Sequence, residues 1–108
     1  MKGYAAPNVL WEIRRERERQ IAKGYDRKHD DEHKYGEIAL AAAHAAAGNG
    51  TPQWPWGWAS RPDLNMMRAR DRLIMAAALC VAEIERLDRI EARKAEVREP
   101  RTAAGSLD

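Results

Sequence analysis

Apolar and polar positions along this chain recur with the period of helices, not of strands. Asn8 suits the capping position of a helix N-terminus. After it, Val9, Leu10, Trp11, Ile13 and Ile21 predict a helix over 9–23, with Gly24 as its stop. Arg17 falls on that same stripe, four residues from both Ile13 and Ile21. A cation there must either reach solvent or meet an anion. The remainder, Arg14-Arg15-Glu16-Arg17-Glu18-Arg19, alternates in sign and reads as a solvated, self-paired surface.

A second helix is expected over 31–47, with Asp30 or Asp31 as its N-cap and Gly48-Asn49-Gly50 as its end. Its alanine runs, 41–43 and 45–47, favour helix and let a neighbour approach closely. A third and stronger helix starts at Asp63 or Asn65 and reaches about Lys94. Leu73, Ala77, Cys80, Ile84 and Leu87 form its apolar stripe, with Ile74 and Val81 alongside. That stripe is the expected core face, and Cys80 on it is expected as a small core residue rather than a nucleophile. Between the second and third helices lies a long Gly/Pro-punctuated loop, 48–65, holding Trp54-Pro55-Trp56-Gly57-Trp58. The pattern predicts one all-α domain over 1–98, a small three-helix bundle with a four-helix arrangement as the alternative. Residues 99–108 are expected as a loose tail beyond Glu99-Pro100.

Composition narrows the core. A chain of 108 residues supports one domain with a modest interior. Hydrophobic residues make up 44%, but much of that is Ala and there is no Phe, so the four Trp matter for stability before function. Charged residues are 33% with a net charge of +2, and the pI of about 8.9 comes from interleaved charges rather than a basic face. A stable nucleic-acid complex is therefore not expected. A single cysteine excludes an internal disulfide framework and fits a reducing compartment. The chain has no apolar run of membrane-spanning length and no signal-peptide core at Met1–Pro7, so a cytoplasmic protein is expected. Close alanine faces point to a homo-oligomer.

Chemistry concentrates in His29-Asp30-Asp31-Glu32-His33-Lys34-Tyr35-Gly36-Glu37. On one continuous helix His29, His33 and Glu37 share a face, with His44 near it, a spacing that can hold a divalent metal. The competing reading is capping by the Asp pair, with His33 merely hydrogen-bonded. Glu37, at the edge of an apolar run, needs a partner such as Arg17, Arg70 or a ligand hydroxyl. Glu85 and Asp88 resemble half of the magnesium-binding carboxylate set of MazG-like pyrophosphohydrolases, but the paired E-x-x-E of an earlier helix is missing. Trp54, Trp56 and Trp58 can stack on bases, each stack worth roughly 1–3 kcal/mol, or close one end of the bundle. Arg61, Arg68 and Arg70 can meet phosphates. There is no G-x-S-x-G, P-loop or paired C-x-x-C.

Taken together, Glu16-Arg17-Glu18-Arg19-Gln20-Ile21, Gly24-Tyr25, His29-Asp30-Asp31-Glu32-His33, Gly36-Glu37-Ile38-Ala39, Trp54-Pro55-Trp56 and Ala82-Glu83-Ile84-Glu85-Arg86-Leu87-Asp88-Arg89 resemble a family of small bacteriophage- and prophage-encoded proteins over roughly residues 12–90. Met75 departs from it, where relatives often carry Lys. Trp11, Gly24-Tyr25 and Asp30-Asp31 are more loosely similar to RyR domains, which are suspected of binding nucleotide-like ligands. The resemblance implies a phage protein in an infected bacterium that sequesters a cyclic nucleotide or ADP-ribose-type immune messenger without catalysis. Its ligand-binding residues would be Arg17, Tyr25, His29, Asp30, Asp31, His33, Glu37, Trp54, Trp56, Trp58 and Arg70. A Trp would stack on the base, and Arg17 and Arg70 would pair with phosphate. Asp30, Asp31, His33 and Glu37 would accept ribose hydroxyls or base amines. No catalytic residue, metal ligand or cofactor is assigned. The alternatives are a MazG-like hydrolase using Mg²⁺ or Mn²⁺, and an interaction module that inhibits a host enzyme.

Overall fold

The computed structural model describes residues 6–48, 64 and 66–98; the Trp54–Trp58 loop and the expected tail lie outside the described residues. Four helices follow one another: α1 (Ala6–Ala22), α2 (Arg27–Asp31), α3 (Glu37–Ala47) and α4 (Ala69–Arg98). Among the described residues there is no strand, so the all-α bundle is confirmed in its four-helix form. No helix among them is long and apolar enough to cross a membrane.

The C-terminal ends of α1 and α3 follow the sequence closely, but α1 begins at Ala6, so Asn8 lies inside the helix instead of capping it. Gly24, at φ +110°, lets the N–H of Tyr25 reach back to the carbonyl of Gln20 (2.9 Å) while its own N–H donates to that of Ile21 (3.0 Å). This is the paired closure that satisfies a helix's last carbonyls. Asp26 then sits in extended backbone and accepts from the N–H of His29, so it, rather than Asp30 or Asp31, caps the next helix. The expected continuous helix over 31–47 is in fact two. The first ends at Asp31 with Glu32 as its C-cap, residues 32–36 are non-helical, and Gly36, at φ +86°, stands as the N-cap from which the second begins.

The core is built from small side chains. Ile38, Ala41, Ala42 and Ala45 of α3 are buried, as are Met75, Ala76, Ala78 and Ala82 of α4. Leu64 closes one end, packed with Ala45, Met75 and Ala76, and Ala46, Met67 and Leu79 lie against them. Alanine faces therefore serve the α3–α4 contact inside one chain, where small side chains allow the backbones to approach.

Two expectations are corrected here. The stripe Leu73, Ala77, Cys80, Ile84 and Leu87 is not the core face: Leu73, Ile84 and Leu87 are 54, 56 and 47% exposed, and Cys80 is exposed too. The buried line is Met75, Ala78, Ala82 and Arg86, on the other side of the helix. The alanines opposite α3 admit a closer neighbour than Leu and Ile would, and beyond them Arg86 pairs with Glu83 on its own helix while Arg89 reaches Asp31 of α2. On α1, likewise, Leu10, Trp11 and Ile21 are exposed while Arg17 and Gln20 are buried. Trp11 lies on the surface beneath the guanidinium of Arg15, 4.8 Å from its ring centre.

Candidate functional site

The short helix α2 gathers most of the chemistry. The closure at Gly24 aims the Tyr25 carbonyl back at α1, where Nη1 of Arg17 donates to it at 3.0 Å. Nη2 of the same guanidinium donates to Oδ2 of Asp30 at 2.9 Å and lies 3.6 Å from the Glu85 carboxylate of α4. Arg17 and Asp30 are both buried, at 7 and 2% exposure, so the cation on the α1 stripe meets an anion instead of reaching solvent. Burial of such a pair is sustainable only when both partners are also hydrogen-bonded. Nε of Arg17 is buried with no hydrogen-bond partner.

From Asp30 the contacts continue outward. Its Oδ1 stands 3.1 Å from Nδ1 of His29, whose Nε2 is 3.3 Å from Nε2 of His33; Nδ1 of His33 is 3.8 Å from Oε2 of Glu37. His33 acts favourably on the Glu37 carboxylate, so the line of contacts runs from the buried Asp30 through both imidazoles to the first residue of α3. The rings of Tyr25, His29 and His33 meet edge to face, at centroid distances of 5.0 and 4.6 Å. His29, His33 and Glu37 thus follow one another in a line of contacts rather than sharing one helix face, since they belong to α2, the turn after it and the first residue of α3.

Glu37 finds its partner locally. Oε1 accepts from the N–H of Tyr35 at 2.7 Å. Partial burial works against its ionisation, but the backbone N–H groups of Glu37 and Tyr35, together with His33, outweigh this and hold its pKa below the ordinary value. Asp31 faces outward to α4 and accepts from Arg89 at 2.7 Å. That hydrogen bond dominates in lowering its pKa, with Arg93 and Arg27 adding to the field.

Several contributors were missed from sequence. Arg86 is buried and donates twice to Glu83, at 2.8 Å each, a bond that raises its pKa; Asp31 and Glu37 add to the effect. Gln20, also buried, donates to Glu16 at 3.2 Å. The three-residue spacing of Glu83 and Arg86 was a readable signal. Its burial was not, because it depends on the face that α4 turns inward.

Arg70 is not part of this cluster. It is bound bidentately to Glu12 of α1, at 2.8 and 2.9 Å, and the guanidinium lowers the Glu12 pKa. Measured along α4 from Glu85, which touches Arg17, it is about 22 Å away at 1.5 Å per residue. The structure therefore does not bring Arg17 and Arg70 to one phosphate. Trp54, Trp56 and Trp58 lie outside the described residues. His44 is half-buried in the last turn of α3. Among the described residues no three His, Cys, Asp or Glu side chains are grouped so as to hold a metal ion. Comparison with protein-family models, with curated proteins and with solved structures finds no match.

Proposed function

We propose that this chain is a non-catalytic binding protein for an anionic, nucleotide-derived small molecule, which it sequesters. The observation that carries this reading is the half-buried His29–His33 pair, edge-on to Tyr25 and backed by the buried Arg17–Asp30 bond. Arg89, Arg93 and Arg27 all act on the Asp31 carboxylate beside it, so guanidinium groups stand close to the pair. Imidazole N–H groups and guanidinium forks suit phosphate oxygens, and the Tyr25 ring, 46% exposed, is available to a base. In this reading Arg17 and Asp30 are positioning residues, spent on each other, while His29, His33 and Tyr25 meet the ligand. The resemblance to small phage proteins supplies the context: a messenger of cyclic-nucleotide or ADP-ribose type, made by a host defence system.

The test uses purified protein freed of carried-over ligand. Cyclic dinucleotides and ADP-ribose derivatives are titrated by calorimetry, and the ligand is recovered after heating. Stoichiometric binding, intact recovery and its loss in His33→Ala support the reading. Turnover of the ligand would make the protein a hydrolase instead, and no heat of binding across the panel would end the proposal.

A further inference from the structure

His29 and His33 each turn one ring nitrogen to a carboxylate and the other to the neighbouring ring. Nδ1 of His29 stands 3.1 Å from Oδ1 of Asp30, and Nδ1 of His33 stands 3.8 Å from Oε2 of Glu37. The two Nε2 atoms are 3.3 Å apart. That is long for a hydrogen bond, and the ring centres, 4.6 Å apart, are too close for both rings to point along the line between the nitrogens. The nitrogens stand side by side. Two imidazole nitrogens held at ~2.0–2.1 Å by one tetrahedral ion also stand about 3.3 Å apart, the edge of that tetrahedron.

We propose that His29 and His33 hold a divalent transition-metal ion of the zinc class through their Nε2 atoms, with Asp30 and Glu37 as the carboxylates behind them. A histidine that ligates a metal donates its other N–H to an acceptor, which fixes the ring and raises the basicity of the ligating nitrogen. Both rings have that acceptor in place. Asp30 is the firmer of the two: 2% exposed, it gives Oδ2 to Arg17 and keeps Oδ1 for His29. The buried Arg17–Asp30 bond thereby positions a ligating imidazole. Glu37 is held through Oε1 by the N–H of Tyr35, so Oε2 is turned to His33. A pair of imidazoles selects zinc, nickel or copper over magnesium and calcium, which demand oxygen ligands. Asp30 and Glu37 meet the rings at Nδ1, away from Nε2, and no third His, Cys, Asp or Glu among the described residues completes a group of three. Two tetrahedral positions therefore stay open to water. An oxygen of a bound anion could replace that water, a step that rests on the reading given above.

The test uses the untagged full-length protein, stripped with EDTA, and zinc chloride as the probe. Calorimetry should show one zinc ion per chain, undisturbed by a large excess of magnesium and retained in Cys80→Ser, which removes the exposed thiol. His29→Gln and His33→Gln should each abolish that binding with the helical circular dichroism unchanged. His44→Gln, about two turns further along α3 than Glu37, should leave it intact. Imidazole nitrogen-15 spectra of the wild-type chain need no substitution: zinc should shift Nε2 of two histidines and leave their Nδ1 protonated. No heat of binding with zinc overturns the site. So does binding that survives both His substitutions, depends on Cys80, yields to magnesium or runs through Nδ1. None of these results bears on the nucleotide titrations, and a chain that binds zinc but no nucleotide keeps the metal site while losing the messenger.

Discussion

Arg17 stands where the periodicity of α1 asks for an apolar residue, and its charge is answered 13 positions later by Asp30. At this depth water cannot replace a lost partner, so removing either side strands a buried charge. Asp30→Ala is expected to cost about 3–5 kcal/mol in urea denaturation, far above the ~0.5 kcal/mol of an ordinary surface change. The double variant Arg17→Met/Asp30→Leu, which leaves no charge behind, should regain much of that loss. A single-variant cost in the surface range would mean that the pair is hydrated. The Arg17 position was legible from sequence as a cation needing an anion. That the anion is Asp30, which also orients His29, was not, because the choice depends on the turn that Gly24 and Asp26 build.

At the scale of the element, capping decides where helices start and stop. Gly48 ends α3 at φ +72° and ψ −132°, and a Cβ there would lie 2.9 Å from Nε of Arg72. The Arg72 side chain has little freedom to yield, since its Nη1 is tied to the Met67 carbonyl. Gly36, at φ +86°, has open space where its Cβ would go. Gly36→Ala should therefore cost only backbone strain, about 1–2 kcal/mol, and Gly48→Ala measurably more; equal shifts in melting temperature would show that Arg72 relaxes freely. The start of α3 adds a pH dependence. Glu37, Glu16 and Asp31 all have pKa values lowered in the folded protein from ordinary values of 4.5, 4.5 and 3.8. For Glu16, burial opposes ionisation, but Arg19, Gln20 and Lys23 prevail. A carboxylate with a depressed folded pKa contributes fully above its unfolded value and loses that contribution as pH falls through the folded one. The urea midpoint should hold down to about pH 5 and then drop, with Glu37→Gln showing a shallower drop. A midpoint rising on acidification would contradict these contacts.

For the whole molecule, the number and helical nature of the elements were readable, but the direction they face was not. Hydrophobicity marks Leu, Ile and Cys on α4 as inside, whereas the bundle closes through Ala41, Ala45, Ala78 and Ala82, residues that weigh little on any apolar scale. Alanine draws a helix close by taking up little room, so its signal lies in size rather than in hydropathy. This leaves a small core, and a small core leaves stability dependent on what else is buried. Ala78, fully buried where α3 and α4 meet, is where size can be tested against hydropathy. Ala78→Leu adds apolar surface but no room to hold it, and should cost about 1–3 kcal/mol in urea denaturation through overpacking. Ile84→Ala, on the half-exposed face, should stay near the ~0.5 kcal/mol of a surface change. Equal costs at the two positions would mean that the small side chains do not set how closely α3 and α4 approach.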